Sequence, residues 1–243
     1  MHLTEVQPDD NNDVLIVILA RSQSKRIPNK NIRKLGGKPL IEWTIDCAKQ
    51  IVDETRILVS TDGIEIRDLA LRNGVLAPWL RPPELSLDST PSLDSLMHAV
   101  NWYSENLFVP KAVVLLQPTS PFRSAATVVR ALKLHRNHSD SSVVGVSKCK
   151  SHVDDLHRIE DGALVRIMPS DQEREKFQTN TYAVNGSVYV ISSQSLIEQK
   201  VLYTKKVLAL EIESYVESID IDTELDWELA EIIAENLESR TKK

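Results

Sequence analysis

The chain has 243 residues, 42% hydrophobic and 26% charged, enough for one large domain (1–243) with a proper core. Its formal net charge of -6 argues against broad binding to nucleic acid or acidic membranes, so any anion must be gripped locally. No apolar run reaches membrane-spanning length, and Cys47 and Cys149 lack metal-ligand spacing. Residues 1–12 lack the apolar centre of a signal peptide and read as a flexible tail, so we expect a cytoplasmic protein with reduced, buried thiols.

Val14–Ala20 (VLIVILA) is apolar without alternation, as expected of a strand covered on both faces. A basic loop leads through Gly36-Gly37 to Pro39, which suits the first turn of a helix reaching about Ile51. Arg56–Ser60 reads as a strand and Ile64–Asn73 as a helix stopped by Gly74. Thr90 and Pro91 read as the cap and first position of another helix. Ala112–Leu116 and Ala125–Arg136 complete the strand-helix alternation, which predicts right-handed crossovers and a three-layer α/β/α sandwich with a mostly parallel, Rossmann-like sheet. "ARSQSK", "STDG" and "QPTSP" each begin where a strand ends, so all three should share the rim where such sheets bind ligands.

After Ser147 the alternation breaks. "LHRIEDGALVRIM" reads as a hairpin turning at Asp161-Gly162, followed by a polar loop, "PSDQEREKFQTNT". Residues 149–184 are either an interaction arm or a surface decoration. Strands resume at Ser187–Ile191 and Val207–Ile212, and Thr223-x-x-Asp226 forms a capping box for a last helix through Leu237.

Two stretches carry chemistry. Arg21, Lys25, Arg26 and Lys30 fall within ten positions at the end of the first strand, mixed with Ser and Asn. A solvated turn could look like this, but a polyphosphate needs that mixture: Arg for forked hydrogen bonds, Lys as a point charge, small polar groups for orientation. It is neither a P-loop nor a dinucleotide fingerprint. In "SIDIDTELDW" (218–227), strict alternation as a strand would put Asp220 and Asp222 on one face, about 6–7 Å apart. Such a pair suits Mg²⁺ or Mn²⁺ completed by water and phosphates, although capping and solvent-facing roles compete. The histidines have no zinc spacing, "GVSKC" is not a nucleophile elbow, and Trp43, Trp102 and Trp227 read as core.

The ordered motifs "ARSQSKRIPNKN", "VSTD", "RPPELSLDSTPS", "LLQPTSPFR", "YAVNGSVY" and "SIDIDTELDW" resemble the acylneuraminate cytidylyltransferases, from Val14 to Glu235. The resemblance implies CTP and a nine-carbon sugar acid as substrates. It puts Arg21, Ser24 and Lys30 on the triphosphate, Asn31, Arg81 and Ser92 near cytosine and ribose, and Thr90 where backbone groups read the base. It assigns Asp220 and Asp222 to the metal and Gln117 to the sugar acid, with Tyr189 a neighbour and Asn185-Gly186 shaping that wall. Arg174, Lys176 and Gln178 become candidates for the sugar carboxylate. It also implies a homodimer whose arm, residues 149–184, caps the partner's sugar pocket, with no nucleic acid or membrane partner. Many relatives carry glycine where this chain has Ser22-Gln23. Rival readings are a nucleotide-sugar-dependent glycosyltransferase using "DID" for metal, which need not grip a triphosphate, and a catalytically silent nucleotide-binding module.

Overall fold

Alternate residues of the first strand belong to different layers. Ile16 and Ile18 pack with Ile41 and Ile45, Ile66 and Leu69, and Val128 and Leu132 on one side. Leu15 and Val17 pack with Leu96, Val100, Tyr103 and Leu196 on the other. A strand with no polar side chain has no face to offer water, so it takes the middle of a sandwich.

The computed structural model describes residues 11–149, 151, 155–167 and 180–241. In chain order the elements are β1 (Val14–Leu19), β2 (Lys34–Leu35), β3 (Lys38–Pro39), α1 (Leu40–Lys49), β4 (Ile57–Ser60), α2 (Ile64–Arg72), α3 (Ser92–Asn106) and β5 (Ala112–Leu116). They continue with α4 (Ala125–Arg136), β6 (Ser142–Lys148), β7 (His157–Glu160), β8 (Ala163–Arg166), β9 (Tyr182–Ser192), α5 (Ser193–Gln199), β10 (Val207–Glu211) and α6 (Glu224–Thr241). The six-stranded sheet has the order β10-β6-β9-β5-β1-β4. β1 runs parallel to β4 and β5, and β10 parallel to β6, while β9 is antiparallel to both its neighbours. The expected three-layer, mostly parallel sandwich is therefore present. No helix among the described residues is long and apolar enough to cross a membrane.

Several local readings shift. Pro39 precedes α1, and Gly36 and Gly37, both at positive φ, turn the β2–β3 pair that delivers it. Pro91 rather than Thr90 caps α3, because the Thr90 hydroxyl donates instead to the Glu84 carbonyl at 2.7 Å. The Thr223–Asp226 box forms as expected, with Asp226 N–H donating to Thr223 Oγ1 at 3.3 Å and Thr223 N–H to Asp226 Oδ2 at 2.7 Å. β6 and α5 carried no clear signal; the strand expected at Ser187–Ile191 is present but belongs to the longer β9, which begins inside the expected arm and inserts antiparallel between two parallel halves. The 1–12 tail is shorter than expected at its inner end: Asn11 donates to the Ile51 carbonyl at 3.1 Å, and Asn12 accepts from Arg56 at 2.6 Å. Cys47 is buried, whereas Cys149 is half-buried; both are free thiols.

A third apolar cluster sits beside the sheet. Ile27 from the first loop, Phe122 from the loop after β5, and Ile221 meet Trp227, Ala230 and Ala234 of α6. Each large side chain buried there contributes about 1.5–3 kcal/mol. Arg33 stacks on Trp227 at 4.3 Å from its ring centre and donates to Glu224 at 2.7 Å, closing the outer edge. The cluster pins residues near the two ends of the chain together.

His135, buried at the last turn of α4, donates from Nδ1 to the Ser141 carbonyl at 2.9 Å. Burial holds its pKa below the usual imidazole value. The folded state thus binds fewer protons than the unfolded one just below the ordinary histidine pKa, so this contribution is present above that value and lost as pH falls. Thermal unfolding from about pH 7.5 to about pH 5.5 should lower the Tm of the wild type more than that of His135→Gln. Parallel pH profiles for the two proteins would remove the assignment.

Candidate active site

Because β1, β4 and β5 run parallel, the loops at their carboxyl ends leave the sheet on one side. The loop after β4 lies behind Ser22 and Arg81. The loops after β1 and β5, residues 81–92 leading into α3, and the 218–222 segment enclose a cleft of about 380 Å³. It is lined by Arg21, Ser24, Lys30, Asn31, Arg81, Thr90, Ser92, Gln117, Asp220 and Asp222, which brings together every predicted nucleotide and metal residue.

Residues 218–222 do not form the strand that their alternation predicts. A turn hydrogen bond from Ser218 N–H to Ser214 O at 3.0 Å and a long-range one from Ile221 N–H to Thr119 O at 2.8 Å hold them instead. The alternation of environment survives without the strand. Ile221 is fully buried in the third cluster, while Asp220 and Asp222 open onto the cleft. Protein crowds Asp220 on its other sides, and that loss of water pushes its carboxyl above the usual range against a hydrogen bond from Thr119.

Opposite charges face each other here. Lys30 donates from Nζ to the Ile221 carbonyl at 2.7 Å and lies 3.5 Å from Asp222, which Arg26 approaches at 3.3 Å. Arg21 and Lys25 meet Asp88 at 2.7 and 2.6 Å. The Asp88 carboxyl is held below its ordinary value chiefly by the Lys25 hydrogen bond. The Lys30 side chain is 12% exposed against 81% for Lys25, so Lys30 is built into the wall while Lys25 lies at the surface. The loop that carries them is shaped by Asn31, whose Nδ2 donates to the Arg21 carbonyl at 2.8 Å, and by Asn29 at positive φ.

Arg81 is buried on the opposite wall, with Nε on Ser86 Oγ at 3.3 Å, and its Nη2 has no hydrogen-bond partner. Burial lowers its pKa. The Asp62 carboxylate lies 3.8 Å from Nη2. Below Gln117, the buried Arg123 donates to Thr44 Oγ1 at 3.0 Å and to the Gln117 carbonyl. Burial pulls its pKa down to about 10, leaving the guanidinium charged at neutral pH. Gly186, at φ +73°, lets the Gln117 amide approach β9: a Cβ there would lie 2.7 Å from Gln117 Oε1.

Two sugar-side expectations do not reach this cleft. Asn185 is buried with its amide in use, donating to Ser147 Oγ at 2.7 Å and accepting from Ser187 Oγ at 2.7 Å. Tyr189 alternates onto the α3–α5 face of the sheet and packs edge-on against Tyr203. Gln178, Arg174 and Lys176 lie outside the described residues. Sequence reasoning missed Asp88, Thr119 and Arg123, which sit in quoted motifs but look there like ordinary turn residues.

The fit to a divalent cation is a two-carboxylate fit. Among the described residues no group of three or more His, Cys, Asp or Glu converges. Hard oxygens of Asp220 and Asp222 beside cations suit an ion that completes its shell with water and substrate phosphates.

A family profile described as Cytidylyltransferase matches residues 15–239. A CMP-N,N'-diacetyllegionaminic acid synthase of Legionella pneumophila is 38% identical over 224 residues, covering 91% of this chain and 96% of its own. An N-acylneuraminate cytidylyltransferase of Streptococcus agalactiae is 31% identical over 88% of this chain, which spans about half (51%) of that relative. A solved CMP:2-keto-3-deoxy-manno-octonic acid synthetase complexed with CTP covers 93% of this chain and 100% of its own, with TM-score 0.67 at 17% identity, a likeness of fold alone. The resemblance read from six motifs and the match along nearly the whole folded chain agree: this protein belongs to the cytidylyltransferase family.

Proposed function

We propose that the protein joins CTP to a nine-carbon α-keto sugar acid of the sialic, legionaminic or pseudaminic type, giving the CMP-sugar and pyrophosphate. The observation that carries this reading is the convergence of Arg21, Ser24 and Lys30 with Asp220 and Asp222 on one cleft. A glycosyltransferase would need the acids but not the triphosphate grip.

The anomeric hydroxyl oxygen attacks the α-phosphorus in line. The new O–P bond forms as the bond to the β-phosphate oxygen breaks, and the hydroxyl proton is released. Arg21 and Lys30 exchange Asp88 and Asp222 for phosphate oxygens and stabilise the charge that accumulates on pyrophosphate. Arg81, which lines the cleft, holds the nucleoside side, and Gln117 orients the sugar acid. Mg²⁺ or Mn²⁺ held by Asp220 and Asp222 would supply neutralisation of phosphate charge and acidification of the attacking hydroxyl.

The β7–β8 hairpin supports a homodimer. Its cross-strand pair Ile159 and Leu164 is 75% and 74% exposed. An isolated two-stranded hairpin is marginal in water, so an apolar face on one calls for cover by a second copy of the chain.

In a pyrophosphate-release matrix of four nucleoside triphosphates against sialic, legionaminic, pseudaminic and ketodeoxyoctonic acids, CTP with a nine-carbon acid should respond. Transfer from a ready-made CMP-sugar without pyrophosphate release would select the glycosyltransferase instead. Asp222→Asn should lower turnover at least about 100-fold, roughly 3 kcal/mol of barrier; near-normal turnover would remove its metal role. By sedimentation the wild type should be a dimer and Ile159→Lys largely monomeric, whereas a wild-type monomer would refute the dimer.

A further inference from the structure

One carboxylate that the proposed chemistry leaves unused ties the first loop to Arg81 on the cleft wall. Asp62 follows β4 in the "STDG" turn. Its Oδ1 accepts the Ser22 backbone N–H at 2.8 Å, and its Oδ2 accepts the Ser22 hydroxyl at 2.7 Å. The same Oδ1 lies 3.8 Å from Nη2 of Arg81, the buried donor without a hydrogen-bond partner. The preceding residue completes the bridge, since the Thr61 carbonyl accepts the Arg81 N–H at 2.6 Å and the Thr61 hydroxyl accepts the Gly63 N–H at 3.0 Å. Gly63 is pressed against the first loop: a Cβ there would lie 2.9 Å from Ser22 Cβ and 3.3 Å from Ile66 Cδ1. A three-residue turn therefore fixes Ser22, the neighbour of Arg21, and Arg81 on the facing wall.

We infer that Asp62 is a positioning residue for nucleotide binding, setting the separation between the phosphate-gripping loop and Arg81. The Ser22 hydroxyl is then functional. Ser22 pegs the loop to Asp62 through its side chain, so the loop is pre-shaped by a hydrogen-bonded anchor instead of by glycine's freedom. Asp62 keeps its acceptors turned to Ser22 and Arg81 and makes no contact with the reacting atoms. Its effect falls on ground-state binding of the nucleotide rather than on the bond-making step. This rests on the CTP reading only for its kinetic readout; the loop tie stands on the geometry.

The test compares Ser22→Ala, Asp62→Asn, the double variant and Gly63→Ala with wild type by CTP calorimetry, steady-state kinetics and amide hydrogen exchange of residues 20–30 in the free protein. Ser22→Ala and Gly63→Ala disturb the peg without removing a charge, so they decide the matter if Asp62→Asn folds poorly. Each variant should raise the Kd and KM for CTP, about tenfold for Asp62→Asn, with kcat within about twofold, and the double variant should be no worse than Asp62→Asn alone. Exchange of the 20–30 amides should quicken in every variant. Unchanged exchange, additive effects of Ser22 and Asp62, or a loss confined to kcat would each overturn the inference. A wild type that does not bind CTP would instead sink the cytidylyltransferase reading, while the exchange data would still judge the tie.

Discussion

A hydrogen bond spanning 191 residues of sequence holds the site together: Lys30 Nζ on the Ile221 carbonyl at 2.7 Å. It does so because Ile27 and Ile221, which flank it, are buried in the same cluster against Trp227. The apolar contacts hold the first loop and the 218–222 turn together, and the polar groups alternating with them are left to face the cleft. Burial supplies the free energy; the charges take their place from it. Without that cluster, a loop rich in cations and a turn rich in acids would be two solvated surface features, each worth little.

Electrostatics then gives the site its character. The chain is acidic as a whole, yet four cations are gathered at one sheet edge, each with an aspartate in reach. Exposed pairs of this kind contribute little to stability, because water and salt screen them. Their weakness suits a binding site, since exchanging a carboxylate for a phosphate oxygen sacrifices little. Beneath them lie buried guanidinium groups: Arg123 inside the protein under Gln117, and Arg81 on the far wall beside Asp62.

Much of this was legible from residue types. An unbroken apolar run such as Val14–Leu19 can only sit between two layers, and the strand-helix alternation then dictates which loops share a rim. The Ile-Asp-Ile-Asp pattern correctly separated an inner from an outer set, though the backbone beneath it is irregular and not a strand. Alternation reports environment, and environment does not require a sheet. The missing pieces are those whose meaning lies in partners distant in sequence. Asp62, Asp88 and Thr119 are ordinary turn residues until the fold sets them against Ser22, Arg21 and Asp220. Tyr189 illustrates the reverse: its place near a functional motif suggested the pocket, but the pleat of β9 turns it into the core. The insertion of β9 antiparallel between β5 and β6 likewise follows from long-range pairing that no local pattern encodes.

The decisive measurement is a crystal structure of the protein with CTP and Mg²⁺. The account predicts the triphosphate lying between Arg21 and Lys30, no longer paired with Asp88 and Asp222, and the metal held by Asp220 and Asp222. A nucleotide whose phosphates sit away from the first loop, or a metal held by neither aspartate, would contradict it.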